Sequence, residues 1–145
     1  MKKIIVVLIV ALFSVSSLAV AETQVADMKG GRFLEMDGLT AEFFIEKDHY
    51  VSLTFHNDKL ERVPVTSQVA TLTADAPSGK KKIEFETKGG SLFSKEPLPE
   101  GHGYNLIVQL KHGAASKPKN FRIPFETSLC RECGKAEYAC SCEGH

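Results

Sequence analysis

Four cysteines stand near the end of a 145-residue chain with the spacing Cys130-x2-Cys133-x6-Cys140-x-Cys142, and the chain ends in His145. Two close thiol pairs joined by a short spacer can surround one ion with four sulfurs. Thiolates suit Zn2+ in a tetrahedral four-sulfur site, and they suit Cu(I) as well. His145 is a fifth candidate ligand, able to replace one sulfur or to cap the site. Gly134 lets the chain turn directly after the first pair. The six-residue spacer is shorter than that of an ordinary zinc ribbon, so the pattern reads as a compact knuckle or a metallothionein-like clip. The same thiols admit two other readings. They can close two disulfides, for which four cysteines allow three connectivities. A Cys140–Cys142 bridge would be tight, and cross-pairing is geometrically easier. They can also form an exposed redox tail. Covalent haem attachment is disfavoured, because Gly134 stands where a C-x-x-C-H motif needs His. Nothing around Cys130 suggests the strand-to-helix setting that activates a thioredoxin-like thiol. An iron–sulfur cluster fits poorly with export of an unfolded chain.

The opposite end of the chain decides which compartment those thiols meet. Met1-Lys2-Lys3 is a short basic start, Ile4 to Val10 is an unbroken apolar run, and Ala19-Val20-Ala21 has the small-x-small form of a cleavage site. The apolar core is too short for a transmembrane helix, which needs about 20 apolar residues. Residues 1–21 therefore read as a bacterial signal peptide, and the mature chain is expected in the periplasm or outside the cell, not embedded in the membrane. Disulfides persist in that setting. The 18 basic residues balance the 18 acidic ones. That balance argues against a nucleic-acid binder, which would carry an excess of Lys and Arg.

Between signal and tail the hydrophobicity alternates with period two. Residues 22–29 are a polar lead-in, 30–126 a β domain and 127–145 the Cys-rich tail. Arg32–Met36 and Leu39–Glu46 flank the tight-turn pair Asp37-Gly38. Val51, Leu53 and Phe55 alternate with Ser52, Thr54 and His56. Val69–Thr73 is a Thr-rich strand, and Ile83 and Phe85 alternate with Glu84 and Glu86. Ser91–Ser94 reads as a short edge strand. Tyr104, Leu106, Val108 and Leu110 give the cleanest alternation, and Phe121, Ile123 and Phe125 close the set. Seven or eight short strands separated by turns indicate an all-β, immunoglobulin-like antiparallel sandwich. Lys80-Lys81-Lys82 reads as an exposed edge that discourages strand pairing. His49, His56, His102 and His112 read as solvated loop or strand-end residues. Met36 reads as packing. No G-x-S-x-G elbow and no phosphate-binding glycine loop occurs, so the chain reads as a binding protein rather than an enzyme.

Gly30-Gly31-Arg32-Phe33-Leu34-Glu35, Gly38, Ala41-Glu42-Phe43 and the Asn57-Asp58…Val63-Pro64-Val65 segment carry a resemblance. Over roughly residues 30–125 the chain resembles small exported bacterial β-sandwich proteins associated with heavy-metal efflux systems, and the related segment of efflux adaptor proteins. The resemblance implies a periplasmic role in metal handling, or contact with an efflux or resistance assembly. Where that pattern often carries His, this chain has Lys29 and Thr40, which shifts any metal chemistry to the Cys tail. The expected function is binding of Zn2+ or Cu(I) by Cys130, Cys133, Cys140 and Cys142, with His145 as a further candidate. The alternative is a protein–protein interaction module of the cell envelope whose tail is a disulfide-stapled clip without metal. A thiol-redox accessory is a third possibility.

Overall fold

Alternation of apolar and polar side chains gives each strand one buried face, and burial of a Leu, Ile or Phe side chain contributes about 1.5–3 kcal/mol. A computed structural model of the chain describes residues 28–142. The signal peptide expected over 1–21, most of the lead-in and His145 lie outside the described residues. Among the described residues nine strands form: β1 (Arg32–Met36), β2 (Leu39–Ile45), β3 (Val51–His56), β4 (Arg62–Val63), β5 (Gln68–Ala76), β6 (Gly79–Lys88), β7 (Ser91–Ser94), β8 (Asn105–His112) and β9 (Lys119–Pro124). A single 3₁₀ turn follows at Glu137–Ala139. Among the described residues no helix is long and apolar enough to cross a membrane.

The strands are hydrogen-bonded in the order β1-β2-β3-β7-β6-β5-β8-β9, with β4 added beside β3. All pairs are antiparallel. Strand β6 joins the two layers: Gly79–Glu84 pairs with β5, and Phe85–Lys88 pairs with β7. The core lies between the layers, where Phe43, Leu53 and Phe55 from one side meet Leu72, Leu106 and Ile123 from the other. The all-β antiparallel sandwich expected from the alternation is therefore present.

Two local expectations are corrected. Ser91–Ser94 is not an edge strand; it sits between β3 and β6. Its polar ends survive inside because they are bonded: Ser94 accepts the Val51 N–H at 2.9 Å, and Ser91 and Thr54 share a hydrogen bond at 3.0 Å. Lys80, Lys81 and Lys82 pair on one side only, with Asp75, Ala74 and Thr73 of β5, while β7 pairs with β6 from Phe85 onward, so this stretch is the open edge expected of it. Their ammonium groups reach solvent on long stems, and Lys81 pairs with Glu96 at 2.7 Å. The two-residue β4 was not anticipated.

The second correction concerns His56, which is fully buried at the end of β3 instead of solvated, with no hydrogen-bond partner for either ring nitrogen. Burial holds its pKa below the ordinary 6.5; nearby Glu42 opposes this and Arg62 adds to it. In the unfolded chain the ring protonates near pH 6.5, whereas in the folded chain it resists protonation. The unfolded state therefore binds more protons as pH falls through 6.5, and stability drops there. Urea midpoints at pH 7 and pH 5 should show this loss in the wild type and a smaller loss in His56→Leu. An equal loss in both proteins would place the acid sensitivity elsewhere.

The residues that carry the family resemblance have a structural role in this fold. The Gly31 N–H donates to the buried Glu42 carboxylate at 2.9 Å. A Cβ at Gly31 would lie 2.2 Å from the Phe43 carbonyl oxygen, so only glycine fits. Gly31, Glu42 and Phe43 thus clasp the chain entering β1 against β2.

Candidate metal centre

The tail begins where β9 ends. Phe125 turns into the core, 1 % exposed, with its ring 4.9 Å from Tyr104 and edge-on to His49 at 5.7 Å. The chain then folds back on itself. The Tyr138 N–H donates to Glu126 at 3.0 Å and the Glu137 N–H to Ser128 at 2.8 Å. Leu129 and Ala136 form an antiparallel bridge. Beyond it, the Cys130 N–H donates to the Lys135 carbonyl at 2.7 Å, and the Gly134 N–H to the Cys130 carbonyl at 2.9 Å. The result is a miniature hairpin whose crest, residues 131–134, is exposed. Gly134 sits at φ +70°, the left-handed turn anticipated from its position.

This turn brings all four thiols together. The four sulfurs lie within 4.8 Å of one another. Cys130 and Cys140 lie 3.3 Å apart, Cys133 and Cys140 3.7 Å, and Cys130 and Cys142 3.9 Å. A tetrahedral ion with bonds of about 2.3 Å to sulfur needs sulfur–sulfur edges of about 3.8 Å. The cluster therefore has the size of one four-coordinate site, and the four thiols are free. Cys130 is buried, Cys140 and Cys142 are partly covered, and Cys133 is exposed. His145 lies outside the described residues.

The turn also supplies hydrogen-bond donors. The N–H groups of Cys133 and Glu132 point at the Cys130 sulfur, and with a bond from the Cys140 thiol they lower its pKa to about 6. Sequence reasoning found no activating environment for Cys130; the structure supplies one through a tight turn instead of a helix N-terminus. The Cys142 N–H donates to the Cys140 sulfur at 3.4 Å. That bond is the largest single influence and favours a Cys140 thiolate, but the Cys130 sulfur, burial and the Cys133 sulfur together outweigh it and the Cys140 thiol is raised. Cys142 is raised well above the ordinary range by the sulfurs of Cys140 and Cys133. One anion is thus favoured in the cluster and further ionisation is opposed. A cation at the centre would reverse that opposition.

The clip is fastened to the sandwich by Tyr138, the only Phe, Tyr or Trp after Phe125. Its side chain is buried, its hydroxyl accepts the Ile45 N–H at 3.0 Å, and its ring meets Phe43 edge-on at 6.1 Å. Arg32 on β1 donates to the Tyr138 carbonyl at 3.4 Å. Lys119 on β9 pairs with Asp37 in the β1–β2 turn at 3.2 Å. The outer strands β1 and β9 are thus linked at one end by this ion pair and at the other by the clip. Sequence reasoning did not single out Tyr138, although a lone aromatic between two cysteine pairs is the signal that could have found it.

The chain is defined by these features as an all-β sandwich with a docked four-cysteine clip. It matches no protein-family model, no curated protein and no solved structure in the comparisons made.

Proposed function

We propose that this is an exported periplasmic protein that binds one soft or borderline metal ion through Cys130, Cys133, Cys140 and Cys142, and that it serves metal homeostasis or efflux. The observation that carries the reading is the sulfur cluster: four thiols within 4.8 Å on a turn whose N–H groups already stabilise one thiolate. Four sulfurs gathered around one position suit four-coordinate Zn2+ better than Cu(I). Loading an ion displaces the remaining thiol protons, so affinity falls as pH drops and protons compete for sulfur. Export is supported by the signal-like segment, and the link to an efflux assembly by the resemblance over residues 30–125.

The test is intact mass under native and denaturing conditions, with and without alkylation, on protein recovered from the periplasm. The expected result is one bound Zn2+ under native conditions and four alkylatable thiols after denaturation. A metal-free mass lighter by four hydrogens would overturn the proposal and make the tail a disulfide clip. In that case the function would lie with partners of the sandwich surface.

A further inference from the structure

The four sulfurs are not equivalent, and the difference has a direction. Cys130 is 3 % exposed and receives two backbone N–H bonds. Cys140 is partly covered and receives the Cys142 N–H. Cys142 is partly covered. Cys133 is exposed on the crest of the hairpin, with Arg131, Glu132, Gly134 and Lys135 exposed around it. Among the described residues no backbone N–H is aimed at the Cys133 sulfur; its own N–H is spent on Cys130. A thiolate held by neither burial nor donors is the most accessible and the most nucleophilic of the set.

The geometry points to Cys133 as the exchangeable ligand through which the centre passes Zn2+ to a thiol-bearing acceptor. This inference rests on the metal-binding reading above. An acceptor thiol approaches from solvent on the Cys133 side, and the zinc expands to five ligands, as zinc sites can. The acceptor sulfur bonds to the metal and gives up its proton. The Cys133–Zn bond breaks, and the Cys133 sulfur takes up a proton. No electron changes hands. Cys140 and Cys142 follow by the same exchange, and the buried Cys130 leaves last. Zn2+ ends on four acceptor sulfurs, and the protons these gave up pass to the donor sulfurs or, at Cys130, to solvent. The acceptor side must therefore supply four thiols in all, as two dithiols do, one for each Cys–Zn bond that breaks.

The test uses the mature chain loaded with Zn2+, treated with limiting iodoacetamide and mapped by peptide mass. Cys133 should be alkylated first, at least about tenfold faster than Cys130. In parallel, Zn2+ transfer to a synthetic dithiol peptide is timed. Cys133→Ser, with three sulfurs left, should bind Zn2+ more weakly and, once loaded, should transfer it about tenfold faster, because its open position lies on the exposed crest where the incoming thiol arrives. Cys142→Ser should not show that acceleration. First alkylation at Cys142 or Cys140, or equal rates at all four, would overturn the inference while leaving zinc binding intact. So would acceleration in Cys142→Ser alone. No zinc in the wild-type protein would overturn this inference together with the metal-binding reading.

Discussion

Replacing Cys130 and Cys133 together with Ser is expected to abolish stoichiometric Zn2+ binding while the sandwich stays folded. A serine hydroxyl does not ionise in the accessible pH range, so two of four anionic ligands vanish. The loss at Cys130 is the more severe of the two, because the Cys133 and Glu132 N–H groups prepare that sulfur as a thiolate. The sandwich should survive because its packing lies between β-strands, with Phe43, Phe55, Leu72 and Ile123 fully buried there. Metal content by mass and strand content by circular dichroism separate the two effects. The wild type at zinc a thousandfold above its dissociation constant gains about 4 kcal/mol from binding, and the variant should gain nothing. Retained zinc would exclude the four-sulfur site. An unfolded variant would show that the clip is part of the core.

Tyr138→Ala is expected to release the clip from the sandwich, at a cost of about 3–5 kcal/mol for a buried aromatic. Tyr138→Phe isolates one part of that cost. It keeps the ring against Phe43 but removes the acceptor for the Ile45 N–H. A buried amide left without a partner costs about 1–3 kcal/mol. Urea denaturation of the zinc-loaded proteins should rank them wild type, then Phe, then Ala. Zinc affinity should fall in the same order, because Tyr138 lies two residues before Cys140 and docking holds that sulfur in place. Coupling of this kind is reciprocal: what zinc gains from docking, docking gains from zinc. If Tyr138→Ala binds zinc as tightly as the wild type, clip and sandwich are energetically independent.

The parts of this molecule that could be read in advance are those set by local period. Leu106, Val108 and Leu110 alternate and are all buried on one face, so β8 was evident within two residues of its ends. The order of strands was not readable, because pairing β3 with β7 and β6 with β5 depends on contacts far apart in sequence. That is why Ser91–Ser94 looked like an edge and is central, and why His56 looked solvated and is buried. Short polar strands give no alternation from which to infer two covered faces. At the clip, residue types and spacing foretold the four sulfurs. They did not foretell the donors, since those arise from backbone N–H groups that any residue possesses. The Gly31–Glu42 clasp shows the converse: a pattern visible in the sequence whose role here is structural.

The bond from Ile45 to Tyr138 spans 93 residues of chain. Closing so long a span adds little to the equilibrium cost, which grows only as the logarithm of length, but such contacts are slow to form. The surface that receives Tyr138 exists only once β2, which carries Phe43 and Ile45, is in place. Time therefore orders the molecule as geometry does. The clip can settle only onto a wall already built, and the sulfurs it carries converge with it. An ion arriving early would meet scattered thiols, whereas one arriving late would find its four partners already gathered.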